Sequence, residues 1–558
     1  MEALEGNNLE SILTKAKEME RKYDWLQAIN IYEEALNSSF CKNDVLEAAE
    51  FQEKIGFCLY RAAMQAKSNI EFKKLIKKSI IAYEKEAEIL EKANEKEHRI
   101  KIAHAHASVA YVKSWCETEA KKRKELLDQW WILENKVLEA HESMGTLASI
   151  GKTCNDLSEY SSYNIFWLVS NFSELLKMYM EGIELAERAI KIFDKLNDKF
   201  ELARAYWIAS WYLSFSDHFW EDENKAISLL KKAQDYADKA LTLSKEIDDA
   251  YLIGKCYYAS WTLAQILHFE PKLAVKLGEI AIKYCNISKD NHLIGGVKSL
   301  TALSILHLSK NIEDPDKQKE MVIKAIEMAQ QATNYFIVIN EIAGLNLTYL
   351  TQSTSLLGLA EIETNNEKKQ EILEKALQVS QEGLERTRDW KRIAYIFASL
   401  SEILPLLSEF KTESDEKREL LNEAKMYCKK SQKITEEFMP FLFSYNSFGY
   451  YQLAVILDKL ATIETQNMKK TKLLAQAATS IKKSLELLQK KQKMLQSEWA
   501  SGRFLGYIMT NLVGLLKKLL FKQTKRKGLQ KQLKPMKMLH HISEKQKCLH
   551  TLLNHIGT

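Results

Sequence analysis

Apolar residues recur at three- and four-residue steps for most of the chain, the spacing that places them on one face of an α-helix. Between residues 183 and 193 they fall at Ile183, Leu185, Ala186, Ala189, Ile190 and Phe193 among charged neighbours. Small residues on such segments return at Ala35, Ala87, Ala140, Ala189, Ala240, Ala281, Ala332, Gly383, Ser431 and Ser484, in steps of 52, 53, 49, 51, 41, 51, 51, 48 and 53. From Ala189 onward a second small residue precedes the marker by three positions, at Ala186, Ala237, Gly278, Ala329, Ser380 and Cys428. Two small side chains on one face let a neighbouring helix approach closely.

Polar turns keep the same beat. Asp198, Asp249 and Asp290, each beside Asn197, Asp248 or Asn291, stand about nine residues after a marker. Their carboxylates suit the capping of a following helix. That next segment is richer in aromatics, as in Tyr206-Trp207-Ile208-Ala209-Ser210-Trp211 and Tyr257-Tyr258-Ala259-Ser260-Trp261. A second polar loop carries Lys317, Lys368-Lys369, Lys417-Arg418 and Lys469-Lys470. Two short loops per fifty residues leave two helices of roughly twenty, each about 30 Å long. The pattern predicts an all-α fold, an α-solenoid of about ten antiparallel helical hairpins with a period near fifty, wound as a right-handed superhelix.

Composition narrows the function classes. A chain of 558 residues exceeds one compact core, and with 46% hydrophobic residues, 28% charged and only 5 prolines it reads as folded and helical. The acidic start at Met1–Glu5 lacks a signal-peptide pattern, and the strongest apolar run, 507–516, is about half of what a bilayer crossing needs. Eight scattered cysteines without a Cys-x-x-Cys pair favour reduced thiols in the cytoplasm. The net charge of +5 hides a contrast, since residues 517–558 carry +10 and the remainder −5. We expect an array over 1–516 and a poorly packed or disordered basic tail over 517–558. The tail leaves open contact with nucleic acid or an anionic surface; the mildly acidic body speaks against nucleic acid elsewhere.

Ala16, Ala28, Tyr32 and Ala35 match the small, small, aromatic, small spacing of the tetratricopeptide repeat. The first unit resembles that family closely. The longer later hairpins are similar to the extended arrays of soluble NSF attachment proteins and of prokaryotic signalling proteins. The resemblance implies that the first helix of each pair lines a concave groove while the marker helix faces outward. Transferred to this register, it makes Tyr206, Trp211, Tyr257, Trp261, Asn346, Tyr395, Asn446 and Arg503 the expected partner-binding residues. It implies a non-enzymatic scaffold that takes a protein or peptide partner. The alternative is a sensor region working with a separate enzyme.

Catalytic motifs fail on spacing. Gly145 to Gly151-Lys152-Thr153 is one residue too long for a phosphate loop and follows helical sequence. His104 and His106 lie on different helix faces, and Asp248-Asp249 lacks the third aspartate of a magnesium-binding cyclase. No catalytic residue, metal site or cofactor is expected.

Overall fold

The computed structural model describes residues 2–37, 44–93, 98–169, 171–216, 223–264, 270–387, 394–438 and 443–494. The expected 517–558 tail and Arg503 lie outside them. Among the described residues the chain is helical without strands, in the order α1 (Glu2–Arg21), α2 (Trp25–Asn37), α3 (Val45–Met64), α4 (Asn69–Ala93), α5 (Arg99–Cys116), α6 (Ala120–Met144), α7 (Leu147–Leu168), α8 (Phe172–Leu196), α9 (Lys199–Leu213) and α10 (Glu223–Glu246). There follow α11 (Ala250–Leu263), α12 (Pro271–Ser288), α13 (Asn291–Ser309), α14 (Pro315–Ile339), α15 (Ile342–Ile362), α16 (Asn366–Thr387), α17 (Ala394–Leu407), α18 (Ser414–Phe438), α19 (Phe443–Ile463) and α20 (Asn467–Met494).

The chain divides into two compact units. The first comprises Met1–Trp220 with Asn224–Ile396, and the second Glu221–Glu223 with Phe397–Thr558. In each, sequential helices pack as antiparallel neighbours. Every sequence marker falls on an even-numbered helix, from Ala35 on α2 to Ser484 on α20. The paired small residues are buried, and the need for them is steric. A Cβ on Gly278 of α12 would lie 2.1 Å from the Thr301 hydroxyl of α13, far inside contact distance.

Within the first unit α7, α9, α11 and α13 each touch the next odd-numbered helix, as far as α15, forming an inner layer. Exposed ion pairs link even-numbered helices on the outside, Lys232 to Glu187 at 2.5 Å and Lys324 to Glu279 at 3.1 Å.

The turns leading into the inner helices share one design. A residue in the left-handed region ends the outer helix at Gly145, Asn197, Asp248, Lys289 and Asn340, with φ from +53° to +69°. The next residue caps the inner helix in four of the five. Asp198 accepts from the Glu201 amide at 3.1 Å, Asp249 from Leu252 at 2.8 Å, Asp290 from Leu293 at 3.0 Å and Glu341 from Ala343 at 3.1 Å. The three expected aspartate caps are therefore present. At the third, Lys289 takes the left-handed position and Asn291 begins the helix.

Candidate functional site

The inner layer of the first unit holds a buried charge cluster where α7, α9 and α11 converge. Glu159 of α7 receives Arg204 Nε of α9 at 2.5 Å and the ammonium of Lys255 of α11. Arg204 also reaches Asp156 at 2.6 Å and Glu201 at 3.4 Å, and the Asn155 amide donates to Glu201 at 2.9 Å. Burial raises the Glu159 carboxyl, but Lys255 and Arg204 overcome it and hold the group well below the usual carboxylate range. Lys255 is itself enclosed by aromatic rings, 4.2 Å from the centre of Tyr251, 4.3 Å from Trp207 and 5.4 Å from Tyr163. This cage for a cation is filled by the chain's own lysine.

A second set of contacts crosses from the first hairpins to turns far along the chain. The Tyr23 hydroxyl donates to Asp249 at 3.2 Å and accepts from the Tyr251 amide at 2.9 Å. Arg61 donates to the Tyr251 hydroxyl at 3.2 Å, pairs with Asp290 at 3.2 Å, and lies over the Tyr251 and Trp25 rings at 4.3 and 5.4 Å. Gln65 donates to the Ser288 carbonyl at 2.8 Å, and Asn291 donates to the Ala66 carbonyl at 2.7 Å. Further on, Asn69 donates to the Val338 carbonyl at 3.0 Å, Arg123 pairs with Glu341 at 3.4 Å, and Asn340 donates to the Trp115 carbonyl at 3.3 Å.

Four of these contacts share nearly the same separation in sequence, while Arg61–Tyr251 spans 190 residues and Asn69–Val338 spans 269. Tyr23–Asp249, Gln65–Ser288, Asn291–Ala66 and Asn340–Trp115 span 226, 223, 225 and 225 residues. About 225 residues is four and a half periods, so one lap of the solenoid ends against the beginning of the next. At the centre, His292 of α13 meets Trp115 at 5.8 Å, Tyr163 at 5.0 Å and Phe336 at 6.4 Å between ring centres. The N-terminal ends of α11, α13 and α15 thus face a packed polar and aromatic seam rather than an open groove.

The expected partner-binding residues separate into distinct settings. Tyr206 turns to the outer layer, 5.3 Å from Tyr236 of α10, and Tyr257 stacks on Tyr284 of α12 at 6.0 Å. Trp261 is buried and its indole N–H donates to the Ser304 hydroxyl at 3.1 Å. Asn346 and Asn446 are buried on α15 and α19, while Tyr395 is half-buried on α17. Trp211 stands on the inner side, half-buried, with its ring 5.0 Å from Tyr258 and 5.1 Å from Phe215. Tyr258, absent from the expected set, lies beside Gly296 of α13, where a Cβ would come 3.4 Å from its hydroxyl. Trp211, Phe215 and Tyr258, toward the C-terminal halves of the inner helices, form the aromatic strip that the seam leaves half-exposed.

The motifs rejected in the sequence have structural roles. Gly151 sits inside α7, where a Cβ would meet Phe193 at 2.6 Å, and Thr153 donates back to the Ser149 carbonyl at 3.0 Å. His104 bonds to Glu134 at 2.8 Å, whereas His106 faces Glu91 at 3.3 Å. Among the described residues no group of three or more His, Cys, Asp or Glu side chains is placed to hold a metal ion. In the second unit, Ser401, Cys428, Gln432, Thr435, Phe448 and Gln452 line a small cleft among α17, α18 and α19.

No protein-family model matches this chain, and no curated protein matches it. Its helices do superpose loosely on solved structures. A Rap protein complexed with competence and sporulation factor has 11% sequence identity and a TM-score of 0.37, over 75% of this chain and 99% of that one. A monomeric mutant of IFIT1 with a capped oligonucleotide, m7Gppp-AAAA, has 11% identity and a TM-score of 0.27, over 71% of this chain and 88% of that one. Alternating inner and outer helices, small-residue contacts at a fifty-residue period and repeated capped turns settle the architecture. The chain is an all-α helical repeat protein built of antiparallel hairpins. Among the described residues no helix is long and apolar enough to cross a membrane.

Proposed function

We propose that this helical repeat protein is a non-enzymatic interaction scaffold, and that it holds an apolar segment of a partner protein against the strip of Trp211, Phe215 and Tyr258. The carrying observation is the contrast along the inner layer. Near the seam, charges and rings are paired within the chain, whereas Trp211 and Tyr258 lie against each other at a tilt and keep part of their surface exposed. Rings with a polar tip supply contact area at small conformational entropy, which suits recognition. The strip would read leucine, methionine or aromatic side chains, with the Tyr258 hydroxyl fixing register. The described cysteines are all free, in keeping with a cytoplasmic setting.

Site-specific photo-crosslinking in cells tests this reading. A photoreactive phenylalanine at Tyr258 should yield a discrete adduct that Trp211→Ala removes, while the same probe at outer-helix Ile81 should not. Equal labelling at the two positions would count against the strip.

A further inference from the structure

The N-terminal half of α4 carries its charge differently from the other outer helices. Between Lys67 and Lys85 stand six lysines and two glutamates, in an array whose balance over 1–516 is −5. At about 100° per residue, Ile70, Lys73, Lys74, Lys77, Lys78 and Ile81 fall within about 140° of one helix face. Phe72, Ile76 and Tyr83, on the other side, are buried, so the lysine face looks outward. All four of its lysines are exposed, and Ile70 and Ile81 are 83% and 50% exposed.

Elsewhere on the outside, basic side chains are answered by carboxylates. Arg188 pairs with Glu142, Lys232 with Glu187, Lys239 with Asp235 and Lys324 with Glu279. On α4 the two carboxylates are taken by other groups: Glu84 pairs with Lys113 of α5 at 2.8 Å, and Glu71 accepts from the Lys67 amide at 2.8 Å. Glu117, beyond the end of α5, accepts from the Thr118 and Glu119 amides. The end of α14, which Asn69 touches, has no charged residue between 329 and 340. Among the described residues Lys73, Lys74, Lys77 and Lys78 have no ion-pair partner. Four uncompensated ammonium groups, with an exposed isoleucine at either end, complement negative charge spread over a surface that also admits apolar side chains to a shallow depth.

We propose that this face of α4 docks the chain on an anionic membrane surface, with the four lysines against lipid phosphate and carboxylate groups and Ile70 and Ile81 at the boundary between headgroups and acyl chains. Single-stranded nucleic acid has the same charge, but it is held by stacking on aromatic or arginine planes, and this face carries neither. The face shares no residue with the Trp211–Tyr258 strip and lies on a different layer, so either assignment survives failure of the other.

Flotation of the purified full-length chain with vesicles of phosphatidylcholine, alone or with about 30% phosphatidylserine, tests it. Binding should require the anionic lipid and fade as salt rises from about 0.1 to about 0.5 M. At about fivefold per lysine, Lys73→Gln combined with Lys74→Gln, Lys77→Gln and Lys78→Gln should weaken it by at least about 100-fold. Replacing Lys522, Lys525, Arg526 and Lys527 with glutamine removes the same charge from the C-terminal stretch and should weaken it by less than about fivefold. Ile70→Ala with Ile81→Ala should reduce binding while leaving its salt dependence unchanged. Circular dichroism should be the same for the α4 variants and the parent, as every replaced α4 side chain is exposed. Absence of binding to phosphatidylserine vesicles, or equal losses in the two quadruple variants, overturns the proposal. So does tighter binding to single-stranded RNA that the α4 lysine variant abolishes, which would give the face to nucleic acid instead.

Discussion

Replacing Lys255 with methionine keeps most of the side-chain volume and removes the charge, so it isolates what the buried ammonium does. Lys255 and Glu159 are both nearly inaccessible to water, and Lys255 lies within 4.3 Å of the Tyr251 and Trp207 ring centres. Breaking a buried pair from one side typically destabilises by about 3–5 kcal/mol, because the remaining charge is stranded. Arg204 stays 2.5 Å from Glu159 and limits the damage, which favours the lower end, about 3 kcal/mol. Repeat arrays seldom unfold in one step, so the suitable measure is native-state amide exchange in α9 and α11 rather than a global melt. There the protection should fall about 100-fold, two factors of ten at about 1.4 kcal/mol each. Adding Glu159→Gln to Lys255→Met removes the stranded charge and should restore most of the protection. A single variant whose protection changes by less than about threefold, roughly 0.7 kcal/mol, would refute the reasoning, for it would mean that the pair carries no net coupling.

Further outcomes follow from other parts of the fold. Arg61→Ala should raise exchange at the 248–252 and 289–293 turns while leaving α18–α20 unchanged, and equal loosening of both regions would deny the seam a local role. Gly278→Ala forces a methyl to 2.1 Å from the Thr301 hydroxyl, so it should destabilise by about 1–3 kcal/mol in denaturant titration, where a silent substitution would contradict the close helix contact. Burial and the neighbouring Glu53 raise the Glu86 carboxyl to about 8, with Glu50 adding to the rise and His104 and Lys101 opposing it. The folded chain then holds a proton that the unfolded chain releases near 4.5, and stability falls as pH climbs from there to about 8. Glu134 raises the His104 pKa well above 6.5, and the stability this supplies, full below 6.5, is likewise lost on alkalinisation. Thermal melts of the whole chain from pH 6 to 9 should therefore decline, and Glu86→Gln should flatten part of the slope; parallel curves would exclude Glu86 as a contributor.

The period and its small-residue markers announced the hairpins because close helix packing tolerates only small side chains, a demand that leaves a trace at fixed spacing. The aspartate caps were equally legible, since a carboxylate just before a helix has a local task. What lay beyond the sequence was the meeting of distant laps. Arg61 and Gln65 occupy ordinary positions on an amphipathic helix, and nothing near them points to partners more than 220 residues away. Tyr206 faces the outer layer, away from Trp211, for a simpler reason. Five residues separate it from Trp211, and at about 100° each they leave the two side chains roughly 140° apart around the helix. Lys255 was passed over as one polar residue in an aromatic segment, because a pairing across three helices has no signature along the chain.

The lap-to-lap seam has an evolutionary corollary. Open solenoids gain and lose modules readily, since each module answers only to its immediate neighbours. Here a duplication between residues 70 and 240 would carry Arg61 one module out of step and set it opposite a turn lacking Asp290. Copy number in that stretch is consequently locked, and descendants of this chain should differ in length at the loops and the extremities, not by whole hairpins between residues 70 and 240.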